Sequence, residues 1–135
     1  MHASSSGLDA MSRRMEIIAN NVANAQTTAG PDGKVYRRKD ALFAEKLSKA
    51  SIGNRKGKVG EGVEFKGVVE DTRPPKRIYR PGHPDADKDG YIMMANVDPM
   101  EEMVSMMSCT RAYEANLAAI KASRSMANAA LNIGK

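Results

Sequence analysis

The amino-acid sequence predicts a mainly α fold, in which the N- and C-terminal helices pack as an antiparallel coiled-coil pair and a small β-rich or irregular segment lies between them. Apolar residues at both ends recur at alternating spacings of three and four residues, which is typical of a helix lying along another helix. The last third has neither Gly nor Pro between Met100 and Ile133, whereas both residue types interrupt the middle repeatedly. We therefore predict an N-terminal helix over 5–28, a basic middle over 29–97 and a C-terminal helix over 98–134.

The first predicted helix has a single apolar stripe, which would form one half of the helix pair. Ser6 and Asp9 fit the two ends of an N-terminal capping pair, and Gly30 followed by Pro31 ends the helix. Polar residues occupy the opposite face, so the stripe needs a partner to cover it. The stripe consists of Leu8, Met11, Met15, Ile18 and Val22.

The middle segment alternates short extended pieces with turns, because its Val, Ile, Phe and Tyr residues are separated by Gly, Pro and Asp. The 40–50 stretch fits either a short helix or a strand around Leu42 and Phe43. The remaining predictions are strands at 62–71 and 91–94, a brief extended piece at 78–80, and turns at 53–57 and 85–90. These strands predict a small antiparallel β element.

The last predicted helix begins with residues that favour a helix start, and it provides the second helix of the pair. Asp98 is a favourable N-cap, Pro99 suits the first turn, and Glu101 stands where a capping-box acid belongs. A row of bulky apolar side chains on one face is predicted to contact the first helix. This row consists of Met103, Met106, Tyr113, Leu117, Ile120 and Leu131.

A second row of the last helix lies about 200° around the axis from the first. Alanine favours helix on a solvent-exposed face, which would account for its abundance there. The lack of charge along the row instead indicates contact with another subunit, since small residues let helix axes approach closely. We therefore predict an inter-subunit surface formed by Ala112, Ala115, Ala119, Ala122, Met126 and Ala129.

Positive charge is concentrated in the middle of the chain. Residues 34–80 hold 14 Lys and Arg against 6 Asp and Glu, while the whole chain holds 21 against 16. Such a segment fits a nucleic-acid-binding module, which is the alternative function. The segment has few aromatic residues and no recognisable zinc, KH or RNP motif, however. We therefore favour a solvated basic face, or one that meets acidic neighbours in an assembly.

The reactive residue types do not form a recognisable enzyme site. His2 and His83 are the only histidines, and neither has a nucleophile or a phosphate-binding loop beside it in the sequence. Cys109 lies within the last helix with no His, Lys or Asp flanking it, so we interpret it as a small buried apolar residue. We predict that the chain is not an enzyme and has no catalytic residue and no cofactor.

One acidic stretch resembles the start of a calcium-binding loop. Asp85, Asp87, Asp89 and Gly90 have the required order, but the twelfth position holds Asn96 where a bidentate Glu is needed. We therefore predict a turn held by Asx hydrogen bonds and no metal site.

Both ends of the chain resemble a known family. Residues 6–28 are similar to the N-terminal signature of bacterial flagellar basal-body rod proteins, and residues 83–117 are similar to the C-terminal signature of one proximal-rod member. After Tyr91, the family's usual Tyr-Pro-Asn-Val is replaced by Met-Ala-Asn-Val at 94–97. The residues that match the N-terminal core A-x-N-[LV]-A-N-x-x-T-T are Ala19, Asn21, Val22, Ala23, Asn24, Thr27 and Thr28.

The resemblance implies a structural role. It implies a subunit of the proximal rod that assembles by helix packing into the helical drive shaft transmitting torque across the periplasm. The implied partners are other proximal-rod proteins, the adaptor at the export gate and MS ring, and the distal-rod protein. The N-terminus lacks a basic-then-apolar signal peptide and no apolar run is long enough to span a bilayer. The resemblance implies export by the flagellar type III machine without a cleaved signal.

Overall fold

The structure is a computed structural model that describes residues 2–29, 33–47 and 60–134. Within these residues, one helix precedes and another follows four strands, which form two small sheets. The elements are α1 (His2–Ala23), β1 (Lys39–Leu47), β2 (Gly60–Glu70), β3 (Lys76–Tyr79), β4 (Tyr91–Met94) and α2 (Pro99–Ile133). The helices contain 22 and 35 of the 135 residues, so the prediction of a mainly α fold understates the irregular and extended middle.

Helix α1 begins earlier than predicted. Ser6 lies inside the helix and not at its N-cap, because its hydroxyl donates back to the carbonyl oxygen of Ala3 at 2.9 Å. The proposed capping pair with Asp9 is therefore wrong. The helix also ends earlier, at Ala23, and the chain leaves it through a turn in which the Thr27 amide donates to the Asn24 carbonyl at 3.1 Å.

Helix α2 begins where the sequence predicts. The amide of Met100 donates to the Asp98 carboxylate at 3.0 Å, and the amide of Glu102 donates to the Asp98 carbonyl at 3.1 Å. Asp98 is thus the N-cap, which satisfies amides that have no partner within the helix. Glu101 is exposed, whereas Glu102 is buried.

Within the described residues, the middle of the chain forms two two-stranded sheets. Strands β1 and β2 form one sheet, and the described part of the 40–50 stretch, up to Leu47, is a strand and not a helix. Strands β3 and β4 form the other, an antiparallel pair in which Ile78 faces Ile92 and Arg77 faces Met93. The predicted turn at 53–57 lies outside the described residues.

The chain folds as two compact units, and each helix contributes to both. Unit one comprises Met1–Met15, Ala41–Gly67 and Ser108–Lys135. Its buried residues include Ala10 and Cys109, and Phe43 packs edge-on against Phe65 with ring centroids 5.9 Å apart.

Unit two comprises Glu16–Asp40 and Val68–Met107. Its apolar core is made of Ala25, Ala95 and Val97, with Tyr36 packed against them. Ile92 on β4 is also buried, at 1% exposure. The replacement of Tyr-Pro by Met-Ala at 94–95 is thus accommodated inside the core, where Ala95 has no exposed surface.

Candidate assembly interface

The two helices meet within unit one. The Cys109 thiol donates to the carbonyl oxygen of Met11 at 3.3 Å and lies 3.5 Å from its sulfur. Nearer the start of α1, a Cβ added at Gly7 would stand 3.2 Å from the side-chain nitrogen of Asn116. The two helices run in opposite directions here, because the contact moves toward the end of α2 as it moves toward the start of α1. The absence of a side chain at Gly7 allows the close approach.

Cys109 is buried where α2 contacts Met11, and the sequence predicts it to be a small buried residue. Its side chain is 4% exposed. Burial raises the pKa of the Cys109 thiol, and the charge of Arg14 offsets this only partly. The thiolate form that reacts with electrophiles is therefore disfavoured.

Several residues of the predicted helix-pair rows face inward. In unit one, Leu8, Met11 and Met15 on α1 are half-buried. The α2 residues Tyr113, Leu117 and Ile120 of the same unit are also half-buried. In unit two, Ile18 is buried and Met106 is half-buried.

Three residues of the predicted rows do not face inward. Val22, Met103 and Leu131 are 38%, 53% and 71% exposed. Successive helical residues point about 100° apart. Val22 directly follows the buried Asn21, and Met103 directly follows the buried Glu102. Each therefore points away from the interior. Leu131 lies in the stretch of α2 from 124 to 133, in which every residue is exposed.

The predicted inter-subunit row is mostly solvent-accessible. Ala112 is half-buried, and the other members are exposed: Ala115, Ala119, Ala122, Met126 and Ala129. The row therefore offers small side chains on an open helix surface, with Met126 65% exposed. Its role as an inter-subunit surface stays a prediction.

A polar network, formed by Asn21, Tyr36, Arg38, Asn96 and Glu102, lies inside unit two. Asn21 is 1% exposed and uses its whole hydrogen-bonding capacity. Its side-chain nitrogen donates to the Lys39 carbonyl at 2.7 Å and to Glu102 Oε2 at 3.1 Å. Its side-chain oxygen accepts from the Tyr36 hydroxyl and the Lys39 amide, both at 3.0 Å.

Glu102 carries the negative charge of the polar network. Its side chain is 1% exposed, and its Oε1 accepts a 2.6 Å hydrogen bond from Arg38 Nε. Burial lowers the pKa of the Arg38 guanidinium, but the hydrogen bond and charge of Glu102, aided by Asp40, outweigh it and raise that pKa overall. The Arg38 guanidinium therefore keeps its charge beside the buried Glu102 side chain.

Asn96 and Tyr36 complete the polar network. Asn96 accepts from the Arg38 amide at 2.8 Å and donates to the Arg73 carbonyl at 3.1 Å. Burial, and then the charge of Glu102, raises the pKa of the Tyr36 hydroxyl. Tyr36 therefore keeps the proton that it donates to Asn21. Together these bonds fix the segment after α1 against the start of α2.

The other residues of the family motif lie at the end of α1 and just beyond it. Ala19, Val22 and Ala23 are exposed. The Asn24 side chain donates to the Asn20 carbonyl at 2.8 Å, and the Thr27 hydroxyl donates to the Asn24 side-chain oxygen at 3.3 Å. The Thr28 hydroxyl donates to Asp85 at 2.8 Å. The motif thus contributes one buried polar residue, Asn21, and a hydrogen-bonded chain reversal.

The ion pair of Glu102 and Arg38 is what sequence reasoning missed. Arg38 counts only toward the basic excess of residues 34–80, and Glu102 belongs to neither predicted row of α2. One signal was available, because Met103 and Val104 follow Glu102 directly at the start of the predicted helix. A search limited to apolar periodicity does not detect a buried ion pair.

The acidic stretch at 85–90 is a turn. The Gly90 amide donates to the Asp87 carbonyl, and the Lys88 amide donates to the Asp87 carboxylate, both at 2.8 Å. The Asp85 amide donates to His83 Nδ1 at 3.2 Å, so His83 shapes the turn. Within the described residues no three His, Cys, Asp or Glu side chains are grouped to hold a metal ion.

Neither of the two described helices is both long and apolar enough to cross a membrane.

Comparison with known families finds matches at both ends of the chain. The family described as flagella basal body rod protein matches residues 1–31. The family described as flagellar basal body rod FlgEFG protein C-terminal matches residues 88–133. These ranges include α1 with the residues after it, and β4 with α2.

Individual relatives extend the similarity over nearly the whole length. The chain is 38% identical to the flagellar basal-body rod protein FlgC of Salmonella typhimurium over 130 residues, which cover 96% of this chain and 92% of the relative. It is 39% identical to the protein of the same name from Borreliella burgdorferi, covering 98% and 94%. The FlgC of Bacillus subtilis is 38% identical, covering 100% and 96%.

Proposed function

The chain belongs to the FlgC family of flagellar basal-body rod proteins, and from this premise we propose that it builds the proximal part of the rod by packing its terminal helices against those of neighbouring subunits. It is a structural subunit of the flagellar basal-body rod and not an enzyme. The family favours this role over the nucleic-acid-binding alternative.

The first step of the proposal is that α1 and α2 pair as an antiparallel coiled coil. The Met11 to Cys109 contact and the approach of Gly7 to Asn116 support it. The half-buried apolar residues of the two helices recur at the three and four spacing that such packing uses.

The second step is that the exposed part of α2 contacts other subunits. The stretch from 124 to 133 is about 15 Å long at 1.5 Å per residue, and all of it is exposed. It carries Met126, Leu131 and Ile133, which are 65%, 71% and 86% exposed. A run of exposed apolar residues on one helix is typical of a surface covered in an assembly. Contacts that repeat without closing generate a helical tube, which would act as a drive shaft transmitting torque across the periplasm.

The partners in this proposal are other proximal-rod proteins, the adaptor at the export gate and MS ring, and the distal-rod protein. The chain would reach the basal body through the flagellar type III machine. Several non-identical partners fit the chemistry of α2, because methionine side chains adapt to differently shaped surfaces.

The observation that carries the proposal is the uncharged, exposed row of α2 that contains Ala115 and Ala119. The double substitution Ala115→Leu and Ala119→Leu should leave the chain folded, because both positions are exposed and leucine is a good helix former. It should abolish swimming, because the added side chains hold neighbouring helices apart. Swimming in soft agar is measured in the source bacterium after deletion of its own gene.

The matched control is Lys121→Leu, which places a leucine at an exposed position of the same helix outside the stretch from 124 to 133. Lys121 points about 100° away from Ala122 of the row. This variant should swim normally. Normal swimming by the double variant would show that the row is not an inter-subunit surface.

A further inference from the structure

The sheet of β3 and β4 has one buried and one exposed face. The register pairs Tyr79 with Tyr91 and Arg77 with Met93, and side chains two apart on a strand share a face. The opposite face carries Ile92, which is 1% exposed and faces the interior of unit two. We name the outer set of four residues, Arg77, Tyr79, Tyr91 and Met93, the β3–β4 face.

The β3–β4 face is apolar and ordered by its own contacts. Tyr79, Tyr91 and Met93 are 61%, 36% and 44% exposed. The two tyrosine rings pack edge-on with centroids 5.2 Å apart, and the Arg77 guanidinium carbon lies 4.1 Å from the Tyr91 centroid. Tyrosine, methionine and arginine are the residue types enriched where proteins bind other proteins. Side chains already held in place lose little conformational freedom on binding.

A basic groove adjoins this face in the same unit. The groove has a volume of about 640 Å³, and Met93 lines it as well as belonging to the β3–β4 face. Lys34, Arg37 and Lys39 contribute positive charge to its wall, against Glu70 alone. Its apolar wall is formed by Val35, Pro75 and Met93.

Most of the positive charge of the groove is available to a partner. In the part of the chain that the structure describes, Lys34 and Arg37 form no ion pair. On the adjoining face, Arg77 is 3.9 Å from the exposed Asp89, which is at the limit of an ion pair. The combined surface therefore holds four cations against two carboxylates, so it attracts a negatively charged partner.

The chemistry favours an acidic protein segment over a nucleic acid. Tyr36 is the only aromatic residue of the groove lining. Its hydroxyl is bonded to Asn21, and the Lys39 ammonium lies 5.5 Å from its ring centroid. Its ring is therefore a poor platform for stacking bases. The Tyr79 and Tyr91 rings pack against each other and Arg77 lies over Tyr91, so part of their surface is already covered. The apolar wall of the groove would contribute nothing to binding a phosphate backbone, but it suits the side chains of a peptide.

We propose that the β3–β4 face and the basic groove together dock an acidic, extended segment of another protein in the same assembly. The inference rests on the proposed function, because the rod supplies the neighbouring protein. The partner contributes carboxylates to Lys34, Arg37 and Arg77, and an apolar side chain between Met93 and Tyr79.

The test is photo-crosslinking in living cells of the source bacterium lacking its own copy of the gene. Benzoylphenylalanine replaces Tyr79 in one strain and Met93 in a second, and a third carries it at Leu42, which is 52% exposed in unit one. Tyr79 and Met93 should each give an adduct to a different protein, mapped by mass spectrometry to a segment with net negative charge. Leu42 should not give that adduct.

Charge substitutions test the same contact. The double variant Arg37→Glu and Arg77→Glu should reduce the Tyr79 adduct at least tenfold, whereas Arg37→Lys with Arg77→Lys should retain it. Circular dichroism of both purified variants should match the unsubstituted chain, because both arginines are solvent-accessible.

Several outcomes would overturn the docking surface. These are an adduct between two copies of this chain, an adduct to nucleic acid, an adduct to a basic or neutral segment, and an adduct that survives charge reversal. Restored swimming with no adduct at Tyr79 or Met93 overturns the docking surface alone. Failure of the unsubstituted chain to restore swimming contradicts the proposed function, and the docking surface with it.

Discussion

At the residue scale, Glu102 places a carboxylate where almost no solvent reaches it. Both of its oxygens have partners, Arg38 on one and Asn21 on the other. Replacing a whole buried ion pair by apolar residues is often neutral for stability, whereas removing one partner leaves the other charge uncompensated. We therefore interpret the pair as a device that specifies which segments pack together. A slipped arrangement of α2 would leave Arg38 Nε and one donor of the Asn21 side-chain amide without the Glu102 carboxylate.

The substitution Glu102→Ala should destabilise the chain by about 3 kcal/mol or more, as expected when one partner of a buried pair is removed. The measurement is urea unfolding of the purified chain, followed by the circular dichroism of its helices. Glu64→Ala is the control, since Glu64 pairs with Lys66 at 3.0 Å but is 52% exposed. It should change the free energy of unfolding by less than about 0.5 kcal/mol. Equal losses in the two variants would contradict a special role for Glu102.

At the element scale, strand β2 passes close to α1 within unit one. The Val63 amide donates to the Ser6 hydroxyl at 3.2 Å, so the strand is tied to the helix beside Gly62. A Cβ added at Gly62 would overlap the Ser6 hydroxyl and approach the Ala3 backbone. Gly62 also has a φ of 133°, which residues with a side chain rarely adopt. Two separate constraints therefore require glycine here.

A pair of glycine substitutions separates these two constraints. Gly67 has a similar φ of 148°, but an added Cβ there would meet nothing within 4 Å. Gly67→Ala should therefore cost only the backbone strain, about 1–3 kcal/mol. Gly62→Ala should cost a further 1 kcal/mol or more, roughly, from overpacking against α1. Urea unfolding midpoints measure the difference, and equal midpoints would mean that β2 does not approach α1 in solution.

The sequence predicts the elements better than it predicts their ends and contacts. Apolar periodicity locates both helices, and alternation locates β2 and β4, because these patterns reflect which face is buried. The predicted start of α1 is too late. A serine hydroxyl can donate to a carbonyl oxygen of the preceding turn inside a helix, as well as cap the first turn of a helix. Val22 and Met103 were assigned inward because apolar periodicity does not register polar residues. Asn21 and Glu102 occupy the buried positions beside them.

At the scale of the whole molecule, part of α2 contributes nothing to the fold of the chain itself. Every residue from 124 to 133 is exposed. Exposed apolar residues gain no burial energy in the isolated chain, which is why we propose that they contact other molecules.

Deleting residues 124–135 should therefore separate folding from assembly. The urea unfolding midpoint of the shortened chain should match that of the full chain, while cells that carry it should not swim. The full-length variant Met126→Glu with Leu131→Glu keeps the length but removes the apolar surface, and it should fail to swim as well. A large drop in the unfolding midpoint on truncation would show that the exposed stretch supports the fold. Normal swimming by the glutamate variant would show that its apolar character is not needed.

The polar network also constrains when the chain can fold. Its bonds join residues 64 and 81 positions apart, from Arg38 and from Asn21 to Glu102. During delivery from the amino terminus, whether by synthesis or by threading through a narrow channel, three-quarters of the polypeptide emerges before Asn21 and Arg38 meet their acidic partner. Until then, burying Asn21 and Arg38 would leave their side chains without hydrogen-bond partners, so both side chains are more stable when hydrated. We therefore expect the network to be completed only after Glu102 has emerged, late in the delivery of the chain.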